Sequence, residues 1–260
     1  MISFNLEGFR RNKSYLKLIL RQVHPKIVFL QELWLPYHEQ KLINDCFPSY
    51  NFKIATPDMF MHNEDKLSQS GPVWHGVAIG CHQEINSKVT FPASNHHRLV
   101  GMQYNLKKHS ILFISFYAPT SGQDDKFLES ISHLSQYILQ NVASADQVII
   151  GTDSNCSSKS SSRRQDLWKS FLASLSLQIH STDDPTFHHN NGSSESTIDF
   201  FVTSSTSVIE KLSQLCTLDS PLNFSSHDPI VTAVHVEDIS EKQESKFTGT
   251  YTEFNKKKII

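Results

Sequence analysis

Short apolar runs, punctuated by turn-forming residues, recur along the chain. They predict strands at Ile2–Asn5, Lys26–Gln31, Gly76–Cys81, Arg98–Asn105, Ser110–Tyr117, Gln147–Gly151, Thr197–Thr203 and Pro229–Val236. Between some of them the period changes to that of an amphipathic helix. Leu16, Ile19, Leu20 and Val23 form one stripe, with Asn12 expected as its N-cap. Phe127, Ile131, Leu134, Ile138 and Val142 form a second, starting near Asp124, and Leu167, Trp168, Phe171, Leu172 and Leu175 form a third. The first third reads strand, helix, strand, and later strands follow one another with few helices between. That mixture predicts an α/β protein with two mixed sheets packed face to face and helices outside. Residues 56–75, 154–164 and 188–196 read as surface loops, and 237–260 as a polar linker or tail beyond a single domain spanning 1–236.

Composition adds limits. With 260 residues, 38% hydrophobic and 10% aromatic, the chain can bury a substantial core. No run approaches the ~18–20 apolar residues of a membrane span, and the N-terminal residues have no signal-peptide pattern. Cys46, Cys81, Cys156 and Cys216 are scattered without a CxxC pair, which suits a reducing compartment and excludes a zinc module built on cysteine. The balance of 24 basic against 26 acidic residues, net −2, does not advertise a nucleic-acid partner through bulk charge. Such a function must come from local geometry.

The polar residues at strand ends supply candidates. Asn5 ends the first strand, Gln31-Glu32 the second, and Tyr117 the run ILFISFY. Asp153 and Asn155 follow QVII as GTDSN, Asp199 interrupts the apolar TIDFFV, and His227 precedes the last strand. Carboxylates and amides gathered this way favour a hard, oxygen-coordinated cation such as Mg²⁺, and a His with an Asp partner suits charge stabilisation in phosphoryl transfer. Singly, Asn5 reads equally as a turn residue, Asp153-Ser154-Asn155 as an Asx turn and Tyr117 as a core aromatic. Asp199 differs, because a carboxylate in an apolar strand demands a partner.

In this order, ISFN, LQE, FYAPT, GTDSN, TIDFFV and SSHDPI resemble the endonuclease/exonuclease/phosphatase superfamily, the four-layer αββα fold of DNase I, over about residues 1–236. The likeness is greatest to the apurinic-endonuclease-like domain of non-LTR (LINE-type) retrotransposons, in which YTEFNKKKII would lead towards a reverse transcriptase. The resemblance implies Glu32 as the main ligand of Mg²⁺ or Mn²⁺, with Asn5 beside it. It implies Asp153 as the group that activates water, held with the scissile phosphate by Asn155, and Tyr117 as a hydrogen-bond donor to phosphate. Asp199 would pair with His227, which stabilises the transition state, and Thr186 would touch the DNA backbone. The implied partner is double-stranded DNA, met in the nucleus.

The same resemblance exposes a departure. The family's Ser-Asp-His stands here as Ser225-Ser226-His227, with Asp228 after the His. Adjacent strand residues face opposite ways, so Asp228 is not expected to replace the lost carboxylate, and Ser226 is expected among the DNA-facing residues. Arg163 and Arg164, with Lys159, are candidates for DNA phosphates. His188, His189, Asn190 and Asn191 are expected on a hairpin entering a DNA groove. His96-His97 and His188-His189 read as exposed loop histidines rather than metal ligands, and Trp34 and Trp74 suit either packing or DNA contact. A repair endonuclease, a phosphatase of the same superfamily, or a non-catalytic DNA-binding domain are the alternatives.

Overall fold

The computed structural model describes residues 1–60, 74–107, 109–142, 145–157, 162–189, 192, 194–204, 209–210, 213 and 215–236. In chain order its elements are β1 (Ile2–Asn5), α1 (Phe9–Val23), β2 (Ile27–Gln31), α2 (Gln40–Cys46), β3 (Tyr50–Ala55), β4 (Val77–His82), β5 (Val89–Thr90), β6 (Leu99–Asn105) and β7 (Ser110–Tyr117). There follow α3 (Asp124–Val142), β8 (Gln147–Asp153), α4 (Arg163–Ser174), β9 (Leu177–His180), β10 (Phe187–His188), β11 (Glu195–Ser196), β12 (Asp199–Ser204), β13 (Ile209–Glu210), β14 (Cys216–Thr217), β15 (Ile230–Val231) and β16 (His235–Val236).

Twelve of these strands form two mixed sheets, ordered β14-β15-β1-β2-β4-β3 and β5-β6-β7-β8-β12-β9, and β10-β11 and β13-β16 form two separate two-stranded ribbons. The period of two decides the layering. In β2, Val28 and Leu30 join the cluster under α1 and α2, whereas Ile27 and Phe29 join the cluster between the sheets. In β7, Leu112, Ile114 and Phe116 face α3 and α4, while Ile111, Phe113 and Tyr117 face inward. Every side chain of β7 is buried, as expected of a strand covered on both faces. The result is the four-layer αββα sandwich that the sequence pattern and the resemblance predict.

Two expectations need correction. Helix α1 starts at Phe9, so Asn12 is not its N-cap. Asn12 lies buried in the first turns, where its Nδ2 donates to Leu6 O (2.7 Å) and its Oδ1 accepts Phe224 N (2.9 Å). A side-chain amide is worth more there, joining two loops, than on a helix end that Gly8 enters at φ 102°. The pattern also misses β3 and β9. In β3 the half-exposed Asn51 and exposed Lys53 interrupt the buried positions, and β9 has only its first residue buried. Residues 237–260, including the expected linker, lie outside the described residues, as do Lys159, Asn190 and Asn191.

The sheets pack closely at Gly151, where a Cβ would stand 2.6 Å from the Phe29 ring. No flexible side-chain end lies there to give way. We therefore expect Gly151→Ala to cost about 1–3 kcal/mol in urea denaturation, and to disturb Asp153 two residues on. An unchanged midpoint would show that the sheets have slack at this point.

Candidate active site

In each sheet the two central strands that run parallel, β1 with β2 and β7 with β8, end at the same edge of the sandwich. Register then sets the chemistry. Asn5 aligns with Gln31, one residue before Glu32, in the first sheet. In the second, Tyr117 aligns with Asp153 and Asp153 with Asp199, across three neighbouring strands. The seam between the two rows holds the site.

Two carboxylates side by side in the interior need compensation. Asp153 is fully buried and Asp199 nearly so. His227 supplies the charge: its Nδ1 lies 2.9 Å from Asp199 Oδ2 and its Nε2 3.9 Å from Asp153 Oδ2. Asn5 supplies a neutral bond, its Nδ2 donating to Asp153 Oδ2 at 2.9 Å and lying 3.3 Å from His227 Nε2. Burial opposes the imidazolium, but the charges of Asp199 and Asp153 outweigh it and hold the His227 pKa above its usual range. Burial, and then the charge of Asp199, raise the Asp153 carboxyl above the carboxylate range. Asp153 is thus poised to take a proton near neutral pH, while His227 carries a cation.

Backbone supports fix these groups. Asn155, in the left-handed region at φ 47°, donates its N–H to Asp153 Oδ1 (2.8 Å) and its Nδ2 to Ala118 O (2.8 Å). The turn reading of GTDSN therefore holds, and the same turn fixes the Asp153 carboxylate in the seam. Ser225 Oγ donates to Asn5 O (2.8 Å) and accepts the His227 N–H (3.1 Å), which ties the histidine segment to the end of β1. Tyr117 is buried; burial first, then the charges of Glu32 and Asp153, raise its pKa and keep it a phenol able to donate. Glu32 receives Trp34 Nε1 at 3.1 Å, and Trp34 in turn meets the exposed Trp74 edge-on.

Several residues expected to meet DNA do other work. Thr186 is fully buried; its Oγ1 donates to Asp199 Oδ2 (2.8 Å) and accepts the Ile198 and Asp199 amides (3.1 Å each). It orients the partner of His227, its hydroxyl already committed to Asp199 and two backbone amides. Arg164 is also buried, its guanidinium donating to Pro119 O (2.6 Å) and Thr120 O (2.8 Å) and stacking on Phe127. It holds the loop after Tyr117, whereas its neighbour Arg163 is exposed. Ser226 is largely buried, its N–H bound to Glu7 Oε2 at 2.8 Å. His188 is no free loop histidine, since it bridges Asp228 Oδ2 (2.9 Å) and Glu195 Oε1 (3.2 Å). His189 remains exposed, its ring against Phe187. Asp228 points away from His227 into that bridge, as strand alternation requires. His96 and His97 are half-buried rather than exposed, because His133 of helix α3 stacks on His96 and His75 packs against His97.

Two residues escaped the sequence reading. Glu7, two positions after Asn5, sends its carboxylate to the Ser226 amide and helps raise the His227 pKa. Arg98 is 5% exposed, lies over the Tyr117 ring at 5.1 Å, and feels Glu32. An arginine opening an apolar strand was the one available signal, since a buried guanidinium needs acidic or aromatic company. The charges of Glu32 and Glu7 are felt across the seam, Glu32 by Tyr117 and Asp153 and Glu7 by His227. The donors on the Glu7, Glu32 and Asn5 side are oxygens, suited to a hard ion, and the imidazolium between the aspartates is unable to ligate one.

Residues 111–231 match a family model described as endonuclease-reverse transcriptase. Compared by sequence, the chain matches none of the curated proteins. Among solved structures it is similar to the endonuclease domain of TRAS1, a telomere-specific non-LTR retrotransposon, at 17% identity and TM-score 0.66, over 90% of this chain and 97% of that one. A 3′ phosphatase NExo (D146N) from Neisseria, bound to a product DNA hairpin, aligns at 13% identity and TM-score 0.66, over 90% and 98%. An AP endonuclease from Leishmania major aligns at 14% and 0.65, over 90% and 87%. At such identities the likeness is one of fold. The family match spans the segment from β7 to β15, which carries Tyr117, Asp153, Asn155, Asp199 and His227.

Proposed function

We propose that the chain is a Mg²⁺-dependent endonuclease of a LINE-type element, which nicks one strand of duplex DNA and leaves 3′-hydroxyl and 5′-phosphate ends. The observation that carries this reading is the buried Asp153–His227–Asp199 constellation, facing the carboxylates of Glu7 and Glu32 across the seam. Asp153 accepts the proton of a water that attacks phosphorus, and the P–O3′ bond breaks opposite it. Asn155 keeps Asp153 oriented. The His227 imidazolium and the Tyr117 hydroxyl face the phosphate oxygens and stabilise the charge that builds on them. Glu32, with Asn5 and Glu7, would hold Mg²⁺, which would supply neutralisation of the charge that develops in the reaction. In the parent element a reverse transcriptase follows this domain and extends the new 3′-hydroxyl at the nuclear target site.

Supercoiled plasmid incubated with Mg²⁺ should yield nicked circles, abolished by EDTA. Asp153→Ala and His227→Ala should each slow nicking ~10²–10⁴-fold in folded protein; near-normal rates in either would refute the assigned roles. The pH profile tests the pairing. Asp153 must be deprotonated and His227 protonated, so activity should rise through the elevated Asp153 pKa and fall above the elevated His227 pKa. Asp199→Asn removes the anion that stabilises the imidazolium, so the alkaline limb should move to lower pH. A limb that stays in place would assign it to another group.

Glu7 offers a separate test. Glu7→Gln should raise the Mg²⁺ concentration for half-maximal nicking, by loss of Coulomb attraction in a partly desolvated site. Adding Ser226→Asp returns a carboxylate to the same corner and should reverse the shift. A magnesium titration indifferent to both changes would place the ion elsewhere.

The β10–β11 hairpin is the candidate reader of the target. Shortening its 189–194 turn leaves the catalytic groups on other elements, so the trimmed protein should still nick plasmid but redistribute its cuts. Primer extension across the nicked strand reads the positions, and an unchanged pattern would remove the hairpin from target choice.

A further inference from the structure

The four imidazoles of His133, His96, His97 and His75 form a file leading to the Tyr117 ring. Ring centroids are 4.4, 4.8, 6.3 and 5.6 Å apart in sequence along it. At its outer end, His96 from the segment before β6 meets Glu129 and His133, which lie one turn apart on α3. One ligand atom from each of the three lies within 4.8 Å of the others, and His133 Nε2 is 3.8 Å from Glu129 Oε1. His133 Nδ1 is buried and has no hydrogen-bond partner.

We propose that His96, Glu129 and His133 form a second metal site, separate from the phosphodiester site, which takes a borderline divalent transition ion of the Zn²⁺ class. The chemistry of the donors sets the choice. Two imidazoles and one carboxylate suit Zn²⁺, whereas Mg²⁺ demands oxygens and keeps its waters. A tetrahedral ion with bonds of about 2.1 Å holds its ligands about 3.4 Å apart, so the three groups need only close modestly around it. The stacked rings of His96 and His133, 23° from parallel, must turn a nitrogen inward. Glu129, whose side chain is 64% exposed, is free to swing. Arg98 makes a bare dication costly here, which gives the Glu129 carboxylate a necessary part. The fourth position is open to water. An ion so held would clip the 94–98 segment to α3, and that segment ends in Arg98, which covers Tyr117.

Isothermal titration of the full chain with ZnCl₂, in excess Mg²⁺ so that the oxygen site is filled, tests the proposal. Wild-type protein and Asp153→Asn should each take up one Zn²⁺, and Co²⁺ substituted for it should give the visible absorption of a low-coordinate nitrogen–oxygen site. The His96→Asn/His133→Asn variant should lose that equivalent. Glu129→Gln, a change at an exposed position that leaves the fold alone, should weaken binding about tenfold or more. If the double variant melts early, the Glu129 variant decides the matter. Zinc uptake unaffected by Glu129→Gln, uptake lost in Asp153→Asn, or no saturable binding to wild type would each overturn the assignment.

Discussion

Everything at the working edge depends on the burial of Asp153 directly opposite Asp199 on adjacent antiparallel strands. Like charges in that position destabilise a sheet, and burial amplifies the penalty. The structure meets it by placing one imidazolium between them. That choice fixes much else: His227 must enter the seam, so its segment must cross from β14 to β15 past the end of β1. Ser225 and Asn223 are spent on holding the segment there, through Asn5 O, the His227 amide and His227 O. Thr186 is spent on Asp199. The proposed catalytic arrangement and the solution to a folding problem are the same set of bonds.

The two-sheet architecture explains why those bonds meet where they do. Parallel neighbours at the centre of each sheet finish together, and the polar residue that ends each strand has nowhere to go but the seam. Beneath it, Gln31 spans the sheets, donating from Nε2 towards Ser3, Ser115 and the Gly151 carbonyl. A buried polar link of this kind resists sliding of one sheet over the other, because a shift would strand several donors and acceptors at once. The two rows of polar strand-end residues, delivered by different sheets, are thereby kept in register.

Much of this is legible in the sequence, for identifiable reasons. Continuous apolar runs such as ILFISFY mark strands buried on both faces, and the polar residue closing each run marks the edge. Asp199 announces a partner because an isolated carboxylate in an apolar strand is untenable. What the sequence hides is direction. Thr186 and Arg164 have the side chains of phosphate-binding residues, and only the packed structure turns them inward to Asp199 and to the Pro119 carbonyl. Glu7 is hidden differently, since its carboxylate matters only through the fold, which brings Ser226 to it across the whole length of the chain. The histidine pairs look like loop residues until α3 is seen to cover His96.

The place of Asp228 shows how recognition and chemistry are joined. The residues around His227 pair with the β10–β11 hairpin through backbone bonds, from His188 N to Ser226 O and from Asp228 N to Thr186 O, both 2.8 Å. Phe187 bridges His227 itself and packs on its ring at 4.8 Å. The Asp228 carboxylate adds a side-chain bond to His188 on the hairpin, and Asn223 holds its other oxygen. These contacts raise the His188 pKa against the opposing effect of burial. The clamp is therefore complete below the ordinary histidine range and is lost as pH rises through the raised value. Alternation along the strand thus gives neighbouring residues separate tasks. His227 turns to the two aspartates in the seam, and Asp228 turns to the β10–β11 hairpin. A hairpin built into the same ladder as His227 cannot shift without straining it.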